Sequence, residues 1–566
     1  MVRFQQRLFG PAREGNSTRF RLWAPERSDI ALEIEGRSSV PMRPRNDGWC
    51  EAVAECEPGT RYVFRVNGQR VADPASRLQS GGVHGWSVVV DSSSYGWRSI
   101  SWRGRPWQEV VIYETHAGLE GGYARLSDRL PSLKELGITA VELMPVAAFP
   151  GNRNWGYDGV LPFAPSEAYG TPDELRALVD RAHELGLMIF LDVVYNHFGP
   201  DGNYIALYAP RFFRDDLHTP WGTAMDFRRP QVRRFFIENA LYWIEDFRID
   251  GLRLDAVHCI RDRGWLHEMA AEIRASVPGD RHVHLTTEND DNDAQLLRDG
   301  FDAQWNDDFH HVAHVLLTAE SDGYYADHAD APAERLARVL RGGFDYQGQH
   351  SRYRGRDRGT SSTDLPPTAF VSFLQNHDQT GNRLLGERLT LLADRRALEA
   401  ATALLLLAPQ IPLLFVGEET GSRAPFLYFT DHEPILANAI RDGRAREFSL
   451  TAGSMPDPND IATFHASRPD ADAPQSGGWR SLYRDLLRIR FERIVPQLAN
   501  ARALDARAIG SAAVIARWQL AHDVLTIAVN LGRETVEHSL PRRCQIWGAE
   551  AAESIAPFTT LAWLGS

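Results

Sequence analysis

Two acidic residues and one arginine form the pattern with the clearest chemical potential. Arg253 and Asp255 stand two residues apart in an apolar segment that predicts a β-strand, so their side chains lean to the same side. A nearby guanidinium favours the ionised form of a carboxyl group and lowers its pKa, which suits a nucleophile or a charge stabiliser. Glu288 ends another predicted strand and, in a less solvated place, would stay protonated as an acid. Two carboxyl groups with pKa values shifted apart form the arrangement that cleaves glycosidic bonds.

Further polar side chains gather at the ends of other apolar segments. They are Asp192, Asn196, His197, His258, Asn306, Asp307, Asp308, His310, Asn376, His377 and Asp378. In a parallel barrel the carboxyl ends of the strands meet at one face, so these groups predict one shared site. The sequence contains no G-x-S-x-G elbow, no H-E-x-x-H and no G-x-G-x-x-G, so no competing site is as complete.

Aromatic residues occur in the same regions. Trp155, Tyr157, Tyr195, Trp221 and Trp305 lie at the ends of the predicted strands or just after them. A single aromatic residue is more often part of a core than of a binding surface. As a set at the strand ends, however, flat rings that can stack on pyranose faces favour a sugar ligand.

One helix–strand unit is unusually clear. Thr171 and Glu174 form a capping box, Pro172 stands at the first helical position, and Gly186 predicts the helix end. The continuous apolar run 187–194 follows, which is typical of a parallel strand buried on both faces.

The same pattern predicts eight strands that alternate with helices. They are Val110–Thr115, Ala140–Val146, Met188–Val194, Gly251–His258, Val283–Glu288, Ala303–Asp307, Ala369–Gln375 and Pro412–Gly417. This order favours a multidomain α/β protein with a (β/α)8 TIM-type barrel, and a doubly wound sheet is the alternative that pattern alone leaves open.

The regions on either side of the barrel have β character. We predict an N-terminal β-sandwich, similar to a carbohydrate-binding module, over 1–95 and a linker over 96–107. Asn67-Gly68 between alternating apolar residues predicts a hairpin there. The catalytic barrel with short insertions is predicted over 108–495, and a C-terminal β domain over 504–566.

Composition excludes several classes of protein. The 62 basic and 75 acidic side chains give a net charge of -13, so we expect no binding to nucleic acid. Lys134 is the only lysine and does not follow a glycine, which excludes a P-loop. No signal peptide is visible, and the longest apolar stretch, 401–416, is broken by Pro409 and Pro412, so we expect no contact with a membrane. Four scattered cysteines predict a reduced, cytoplasmic protein.

No cofactor and no metal ion are predicted. His310-His311 could bind a metal, but neighbouring residues on a strand point to opposite faces. We therefore expect one histidine in the core and one in the site.

With these residues in place, the sequence resembles the α-amylase superfamily, glycoside hydrolase family 13. The matching segments are DVVYNH at 192–197, GLRLDAVH at 251–258, the strand that ends at Glu288, and QNHD at 375–378. Within the superfamily the chain is most similar to the malto-oligosyltrehalose trehalohydrolases, through WGYDG at 155–159, WNDDFHH at 305–311, NHDQTGNR at 376–383 and FLYFTDH at 426–432. The start, with FRLWAP at 20–25, resembles the N-terminal sandwich of trehalohydrolases, branching enzymes and isoamylases.

The resemblance implies a role for each matched position. Asp255 would be the nucleophile, Glu288 the general acid/base and Asp378 the third carboxylate, and the implied reaction is retaining hydrolysis of the α-1,4 bond next to a terminal trehalose unit. Asp255 and Glu288 should then lie about 5–5.5 Å apart. The substrate-binding residues would be Trp155, Tyr157, Asp158, Asn196, His197, Arg253, His258, Asn306, Asp307, Asp308, His310, His377, Gln379 and Asn382. A malto-oligosyltrehalose synthase would be a pathway partner, without physical contact.

Three segments depart from the family pattern. They are the short loop from His116 to Tyr123, the pair Thr286-Thr287 before Glu288, and Thr420 where an aromatic residue is common. The first and the last are expected to touch the cleft and to affect its subsites.

Two alternative functions remain open. A glycogen branching or debranching enzyme would share the barrel, although branching enzymes usually have Trp and Pro after the third-strand aspartate, where this chain has Val193-Val-Tyr-Asn196. A glucan-binding protein without catalysis would keep the sandwich and the aromatic cleft, but all three carboxylates are present.

Overall fold

The N-terminal part of the chain is a pair of packed antiparallel sheets. The computed structural model describes residues 7–27, 29–448, 455–470, 473–539, 544–550 and 553–565. One sheet has the order Ala12–Glu14, Ser17–Trp23, Trp49–Ala54, Arg43–Pro44; the other has Val40–Pro41, Ile30–Ile34, Arg61–Val66, Trp86–Val88, Gln79–Ser80, with Gln69–Val71 beside Arg61–Val66. Phe20 of the first sheet packs on Tyr62 of the second, with ring centroids 4.7 Å apart.

The predicted hairpin turn is present in this sandwich. Val66 pairs with Gln69, and the two residues between them, Asn67 and Gly68, both have positive φ angles of 50° and 82°. Two central residues of that conformation match the right-handed twist of the strands, which is why Asn-Gly is favoured at this place.

Eight parallel strands form a closed barrel. In chain order they are β1 Ile112–Thr115, β2 Ala140–Leu143, β3 Met188–Val193, β4 Gly251–Leu254, β5 His284–Thr287, β6 Ala303–Trp305, β7 Phe370–Phe373 and β8 Ile411–Phe415. Each strand pairs with the next and β8 pairs with β1, so this sheet has no edge. The barrel prediction is confirmed and the doubly wound alternative is wrong.

Helices surround the barrel. Those of the described chain are Tyr123–Leu136, Pro172–Leu185, Ile205–Tyr208, Pro230–Asp246, Arg263–Ser276, Gln295–Arg298, Asp307–Thr318, Pro332–Gly342, His377–Gly381, Leu389–Leu392, Arg395–Leu407, Pro434–Glu447, Ile461–Ala466 and Ser476–Ile489. The predicted capping box is formed, because Thr171 Oγ1 accepts from the Glu174 N–H at 3.2 Å and Glu174 Oε2 accepts from the Thr171 N–H at 2.7 Å. Within the described ranges, no helix has the length and apolar character needed to cross a membrane.

The remaining strands form short ribbons and a C-terminal sheet. The ribbons are Ala147–Ala148 with Leu161–Pro165, Phe213–Thr219 with Gly222–Met225, Gln349–Ser351 with Arg356–Arg358, and Val536–Glu537 with Ser554–Ile555. The sheet has the order Arg502–Gly510, Ala513–Gln519, Val524–Asn530, Thr559–Gly565, Cys544–Trp547. It is joined to the barrel helices, since Trp518 Nε1 donates to the Leu340 carbonyl at 3.2 Å.

The barrel interior has an apolar lower part and a polar upper part. Side chains alternate along each strand, so Phe190 and Asp192 of β3 share the inner face. The lower part is a cluster of buried apolar side chains, namely Val110, Ile112, Ala140, Met188, Phe190, Ala303, Trp305, Val371, Phe373, Ile411 and Leu413. The charged side chains Asp192 and Arg253, by contrast, come from the later residues of β3 and β4.

Two segments predicted as strand ends have a different conformation. β4 stops at Leu254 because Ala256 takes a left-handed conformation (φ 43°) and residues 257–259 form a short helical turn. The predicted strand placement of His310 and His311 is wrong, since both lie in the helix Asp307–Thr318 that starts two residues after β6. Opposite strand faces therefore do not separate these two histidines.

Candidate active site

A cavity of about 620 Å³ opens above the polar part of the barrel interior. Ten of the predicted site residues line it: Trp155, Tyr157, Asp158, His197, Arg253, Asp255, Glu288, His377, Asp378 and Asn382. They come from the ends of β4 and from the segments after β2, β3, β5 and β7. This is the face at which a parallel barrel collects groups from distant parts of the chain.

Asp255 is a buried carboxylate held by two donors. Arg253 Nη1 donates to its Oδ1 at 2.9 Å, and Asn196 Nδ2 donates to its Oδ2 at 2.8 Å. Burial alone would raise the pKa of Asp255, but the charges of Arg253 and His197 and the Asn196 hydrogen bond outweigh it and lower this pKa. Asp255 is thus ionised, which is the form that a carboxylate nucleophile requires. Asn196 itself does not line the cavity.

Glu288 has the opposite electrostatic character. Its Oε2 accepts from Arg253 Nη2 at 2.7 Å and from the Ala256 N–H at 2.9 Å. Burial raises the pKa of Glu288 well above its ordinary value, and the charges of Asp255 and Asp378 raise it further against the opposing effect of Arg253. Glu288 therefore holds its proton more strongly than an ordinary carboxyl group does, which is the property that a general acid needs.

One guanidinium joins these two carboxyl groups to a third. Arg253, with only 1% of its side chain exposed, also donates from Nη1 to Asp192 Oδ2 at 2.6 Å. Its lower side lies over the Trp305 ring, 4.2 Å from the centroid. Burial raises the pKa of Asp192 to about 6 despite the Arg253 charge. Arg253 therefore fixes Asp255 and Glu288 on one side of a single rigid group.

Asp378 lies at the start of the short helix His377–Gly381, across the cavity from β4. Asn382 Nδ2 donates to its Oδ1 at 2.6 Å. Burial raises the pKa of Asp378, and the charges of His377 and Arg253 offset only part of that effect. Asp255, Glu288 and Asp378 are thus in three different protonation environments within one cavity.

Aromatic and imidazole rings form the upper wall. Tyr157 donates its hydroxyl to Asp192 at 2.6 Å and stacks on His377, with ring centroids 5.0 Å apart. His197 stacks in the same way on Trp221, which is 52% exposed and lines the cavity. The Trp221 ring is therefore open to a ligand on its other face.

Three predicted site residues lie behind the cavity instead of in its wall. Asn306 precedes the helix Asp307–Thr318, and its Nδ2 donates to the Gly343 carbonyl at 2.8 Å. Asp308 is fully buried in an ion pair with Arg358 at 2.6 Å. His310 contacts the Leu374 carbonyl at 2.6 Å and the Tyr325 hydroxyl at 3.0 Å. A helix turns these side chains toward the neighbouring elements and away from the cavity.

Three more predicted residues border the site without lining this cavity. His258 lines a separate cavity of about 210 Å³. Gln379 Nε2 donates to Asp307 Oδ1 at 3.1 Å, and Gln379 Oε1 accepts from the Tyr324 hydroxyl at 3.0 Å. Burial, with the charges of Asp290 and Asp378, raises the pKa of Asp307 to about 7.

Asp308, His311 and His328 form a buried group of the kind that can hold a metal ion, with one ligand atom from each within 4.8 Å of the others. The Asp308 carboxylate already accepts from Arg358, from Asn292 Nδ2 at 2.9 Å and from two backbone N–H groups. These donors, with the positive charge of Arg358, disfavour a cation at this place.

Other residues of the cavity were missed by the sequence analysis. Ile440, Gly443, Arg444 and Glu447 lie on the helix Pro434–Glu447, which follows β8 and covers one side of the cavity. No motif marks this helix, and its placement depends on contacts such as Arg444 over the Tyr428 ring at 5.3 Å. Tyr428 also lines the cavity and lies in a segment that carried the family resemblance.

The two loops that depart from the family pattern lie elsewhere. Leu119 and Glu120 of the 116–123 loop line a second cavity, of about 440 Å³, and so does Thr420. Among the described residues of the first cavity wall, none comes from either loop. The expectation that they touch the cleft is wrong. Both segments instead lie beside the helix Tyr123–Leu136, which lines the second cavity with them and whose Arg129 pairs with Glu419 at 2.8 Å.

Known proteins share both the sequence and the fold. The chain is 42% identical to malto-oligosyltrehalose trehalohydrolase of Deinococcus radiodurans over 85% of its length and 82% of the relative. It is 39% identical to the enzyme of the same name from Saccharolobus solfataricus, over 86% and 87%. The chain belongs to the malto-oligosyltrehalose trehalohydrolase family. It is thus a glycosidase of the α-amylase type.

Family models and solved structures match the α-amylase domain and the fold of this trehalohydrolase family member. Residues 91–208 match the α-amylase catalytic domain, and residues 501–562 match a domain of unknown function, DUF3459. A crystal structure of a putative α-amylase from Salmonella typhimurium superposes with a TM-score of 0.95 and 42% identity, covering 99% of this chain and 100% of that one. Pullulanase from Bacillus acidopullulyticus, at 17% identity and a TM-score of 0.73, shares the fold over 100% of this chain and 75% of its own.

A branching enzyme is a more distant relative. The 1,4-α-glucan branching enzyme of Aliivibrio fischeri is 33% identical, but over only 44% of this chain and 40% of its own length. The trehalohydrolases match about twice as much of the chain, so the branching alternative is the weaker one.

Proposed function

We propose that this trehalohydrolase family member hydrolyses the α-1,4 bond next to the terminal trehalose of malto-oligosyltrehalose, releasing trehalose and a shorter maltodextrin. The observation that carries the proposal is Arg253, which holds Asp255, with its lowered pKa, and Glu288, with its raised pKa, at the two terminal nitrogens of one guanidinium. The names of the relatives at 42% and 39% identity support the choice of substrate.

The proposed reaction proceeds in two steps. Asp255 attacks the anomeric carbon and forms a glycosyl ester, while Glu288 gives its proton to the departing oxygen. Glu288, now ionised, then removes a proton from water, whose oxygen attacks the anomeric carbon and releases Asp255. The second displacement restores the original configuration. A separation of about 5–5.5 Å between the two carboxyl groups is expected for this retaining course.

The other residues of the cavity are proposed to bind the sugar. Asp378 would accept hydrogen bonds from ring hydroxyls and stabilise the positive charge that develops in the transition state. His197, His377 and Asn382 would donate to hydroxyls. The faces of Trp155 and Tyr157 would exclude water from the cleaved bond.

The proposal extends to the organisation of the chain. We propose a carbohydrate-binding role for the N-terminal sandwich at 1–95, catalysis for the barrel at 108–495, and a supporting C-terminal domain at 504–566. A synthase that makes trehalose-ended chains would supply the substrate. The free cysteines Cys50, Cys56, Cys259 and Cys544 support a cytoplasmic location.

Product analysis tests the function directly. The protein is incubated with maltotriosyltrehalose and, separately, with maltodextrin of similar length, and the products are separated by chromatography. We expect rapid release of trehalose from the first and little action on the second. Cleavage, or formation of branch points, on maltodextrin alone would contradict the proposal and assign the chain to a different branch of the superfamily.

The pH profile tests the two carboxyl roles. Activity needs Asp255 ionised and Glu288 protonated. As pH increases, kcat/KM should therefore rise at a pH below the usual carboxyl range, where Asp255 ionises, and should fall only at a pH well above that range, where Glu288 loses its proton. The two apparent pKa values belong to the coupled pair. Glu288→Gln should lower kcat and remove the alkaline limb, because no proton is left to lose. An alkaline limb that persists unchanged in this variant would contradict the role of Glu288.

A further inference from the structure

Two buried glutamates of the barrel interior have no part in the proposed reaction. Glu114 of β1 and Glu142 of β2 are direct partners in the strand register, and each is 1% exposed. Neither lines the cavity of the candidate site. Although the two glutamates are adjacent, their surroundings differ.

Glu114 is bound to a single residue through both oxygens. Its Oε1 is 2.5 Å from His377 Nδ1, and its Oε2 accepts from the His377 backbone N–H at 3.0 Å. His377 is the histidine that precedes Asp378 and lines the cavity. Because Nδ1 is turned to Glu114, Nε2 is the ring nitrogen that remains for a ligand.

The His377 ring is fixed on its other sides by aromatic groups. Tyr157 stacks on it, Trp155 meets it edge-on with centroids 5.6 Å apart, and the Tyr157 hydroxyl lies 3.5 Å from Nδ1. The titratable groups that act on this ring are Glu114 and His116 from β1 and its loop, Tyr157 after β2, Asp192 of β3, Arg253 of β4, Asp255 directly after β4, and Asp378 of its own helix.

The charge of Glu114 decides the protonation of this imidazole. Burial lowers the pKa of His377, but the charge and hydrogen bond of Glu114, with the charge of Asp378, outweigh burial and raise this pKa above the ordinary value. The His377 ring therefore binds a proton more readily than an ordinary imidazole does.

Glu142 provides a contrast in the adjacent strand. Neither of its carboxyl oxygens has a hydrogen-bond partner. Burial and the charges of Glu114 and Asp192 raise the pKa of Glu142 well above its ordinary value, so it is neutral. It therefore contributes no charge to the ring of His377.

We propose that Glu114 is a positioning residue that holds His377 as an imidazolium with Nδ1–H turned into the barrel, so that Nε2–H donates a charge-assisted hydrogen bond to a substrate hydroxyl. The proposal rests on the proposed function only for the identity of that substrate. A carboxylate at this place fixes the orientation, the tautomer and the charge of the ring together.

Glu114→Gln tests the proposal, with Glu142→Gln as the matched control. A Gln side chain has one acceptor and one donor, so it cannot accept from both the Nδ1–H and the backbone N–H of His377. We expect the His377 pKa to fall by about 1–3 units, measured by NMR of ¹⁵N-histidine with the signal assigned from His377→Asn. Glu142→Gln replaces a neutral acid by a neutral amide and should leave this pKa and the rate near those of the wild type.

The rate gives a second measurement. At neutral pH, Glu114→Gln should lower kcat/KM by about 10- to 100-fold. This deficit should narrow as pH falls through the lowered His377 pKa, because the cation then re-forms. In the His377→Asn background, Glu114→Gln should lower kcat/KM by less than about 2-fold, because a residue that acts through His377 has little effect once His377 is absent.

The outcomes separate this proposal from the proposed function. An unchanged His377 titration in Glu114→Gln, or a rate deficit independent of pH and equal in both backgrounds, would overturn it. The NMR titration needs no substrate, so a shifted pKa supports Glu114 even if no trehalose is released. Trehalose release with an unshifted pKa would support the function and reject the positioning role.

Discussion

Asp255→Asn is expected to lower kcat by about 10⁴-fold or more, because it removes the group that is proposed to form the glycosyl intermediate. The amide has almost the same shape as the carboxylate. Arg253 keeps its contacts with Asp192 and Glu288, so the barrel should remain folded. Trehalose release, measured beside thermal unfolding and circular dichroism, checks both statements.

Asp505→Asn is a suitable control for that variant. It removes a carboxylate from a surface pair with Arg517 on the C-terminal sheet, far along the chain from the cavity. Wild-type turnover is expected, as exposed ion pairs contribute little. If Asp255→Asn retained more than a few per cent of wild-type turnover, the assignment of the nucleophile would be wrong.

Arg253→Met should have the largest combined effect on stability and activity. The variant leaves the buried side chains of Asp192, Asp255 and Glu288 without their shared cation. Removal of one partner of a buried ion pair lowers the free energy of unfolding by about 3–5 kcal/mol. The carboxyl groups should then take up protons, so Asp255 would lose its ionised form near neutral pH and turnover would fall with it. Urea unfolding and kcat measured on the same preparations provide the test.

The stability lost in Arg253→Met should depend on pH. In Arg253→Met the pKa values of the carboxyl groups rise in the folded state, so the stability that their protonated forms contribute is present at low pH and is lost as pH rises. The stability difference from wild type should therefore narrow on acidification. Arg253→Lys keeps a charge but cannot reach Asp255 and Glu288 at once, so it should recover stability better than activity. If Arg253→Met were as stable as wild type at pH 7, the structural role of Arg253 would be contradicted.

No sequence motif marks the contact between Glu114 and His377. Glu114 and His377 are 263 residues apart, and the sequence near Glu114 contains only an apolar strand with one acidic residue. The barrel closes when β8 pairs with β1, and this closure brings the segment after β7, which carries His377, close to β1. Only this closure places the Glu114 carboxylate against the His377 ring. The same holds for the helix Pro434–Glu447, which covers the cavity without any motif of its own.

The sequence by itself determined the elements and their order. Apolar runs of strand length, the capping box at Thr171–Glu174 and the Asn67-Gly68 turn are local patterns, and local patterns depend on backbone sterics and side-chain period rather than on distant contacts. The positions of Asp255 and Glu288 at strand ends follow from the same patterns, because the carboxyl end of a parallel strand always faces the functional side of the barrel.

The tertiary structure alone decided which polar side chains share the cavity. Asp308 and His310 looked like site residues at the end of β6, but a helix that begins there turns them to Arg358 and Tyr325. Protonation is decided in the same way, because Asp255, Glu288 and Glu142 are all buried carboxyl groups at different distances from the surrounding charges and donors. His197 and Asn196 join Arg253 in lowering the pKa of Asp255, whereas nearby carboxylates raise the pKa of Glu288 against the effect of Arg253, and also raise that of Glu142. Those distances arise when strands far apart in the chain close around one guanidinium, and no local pattern specifies them.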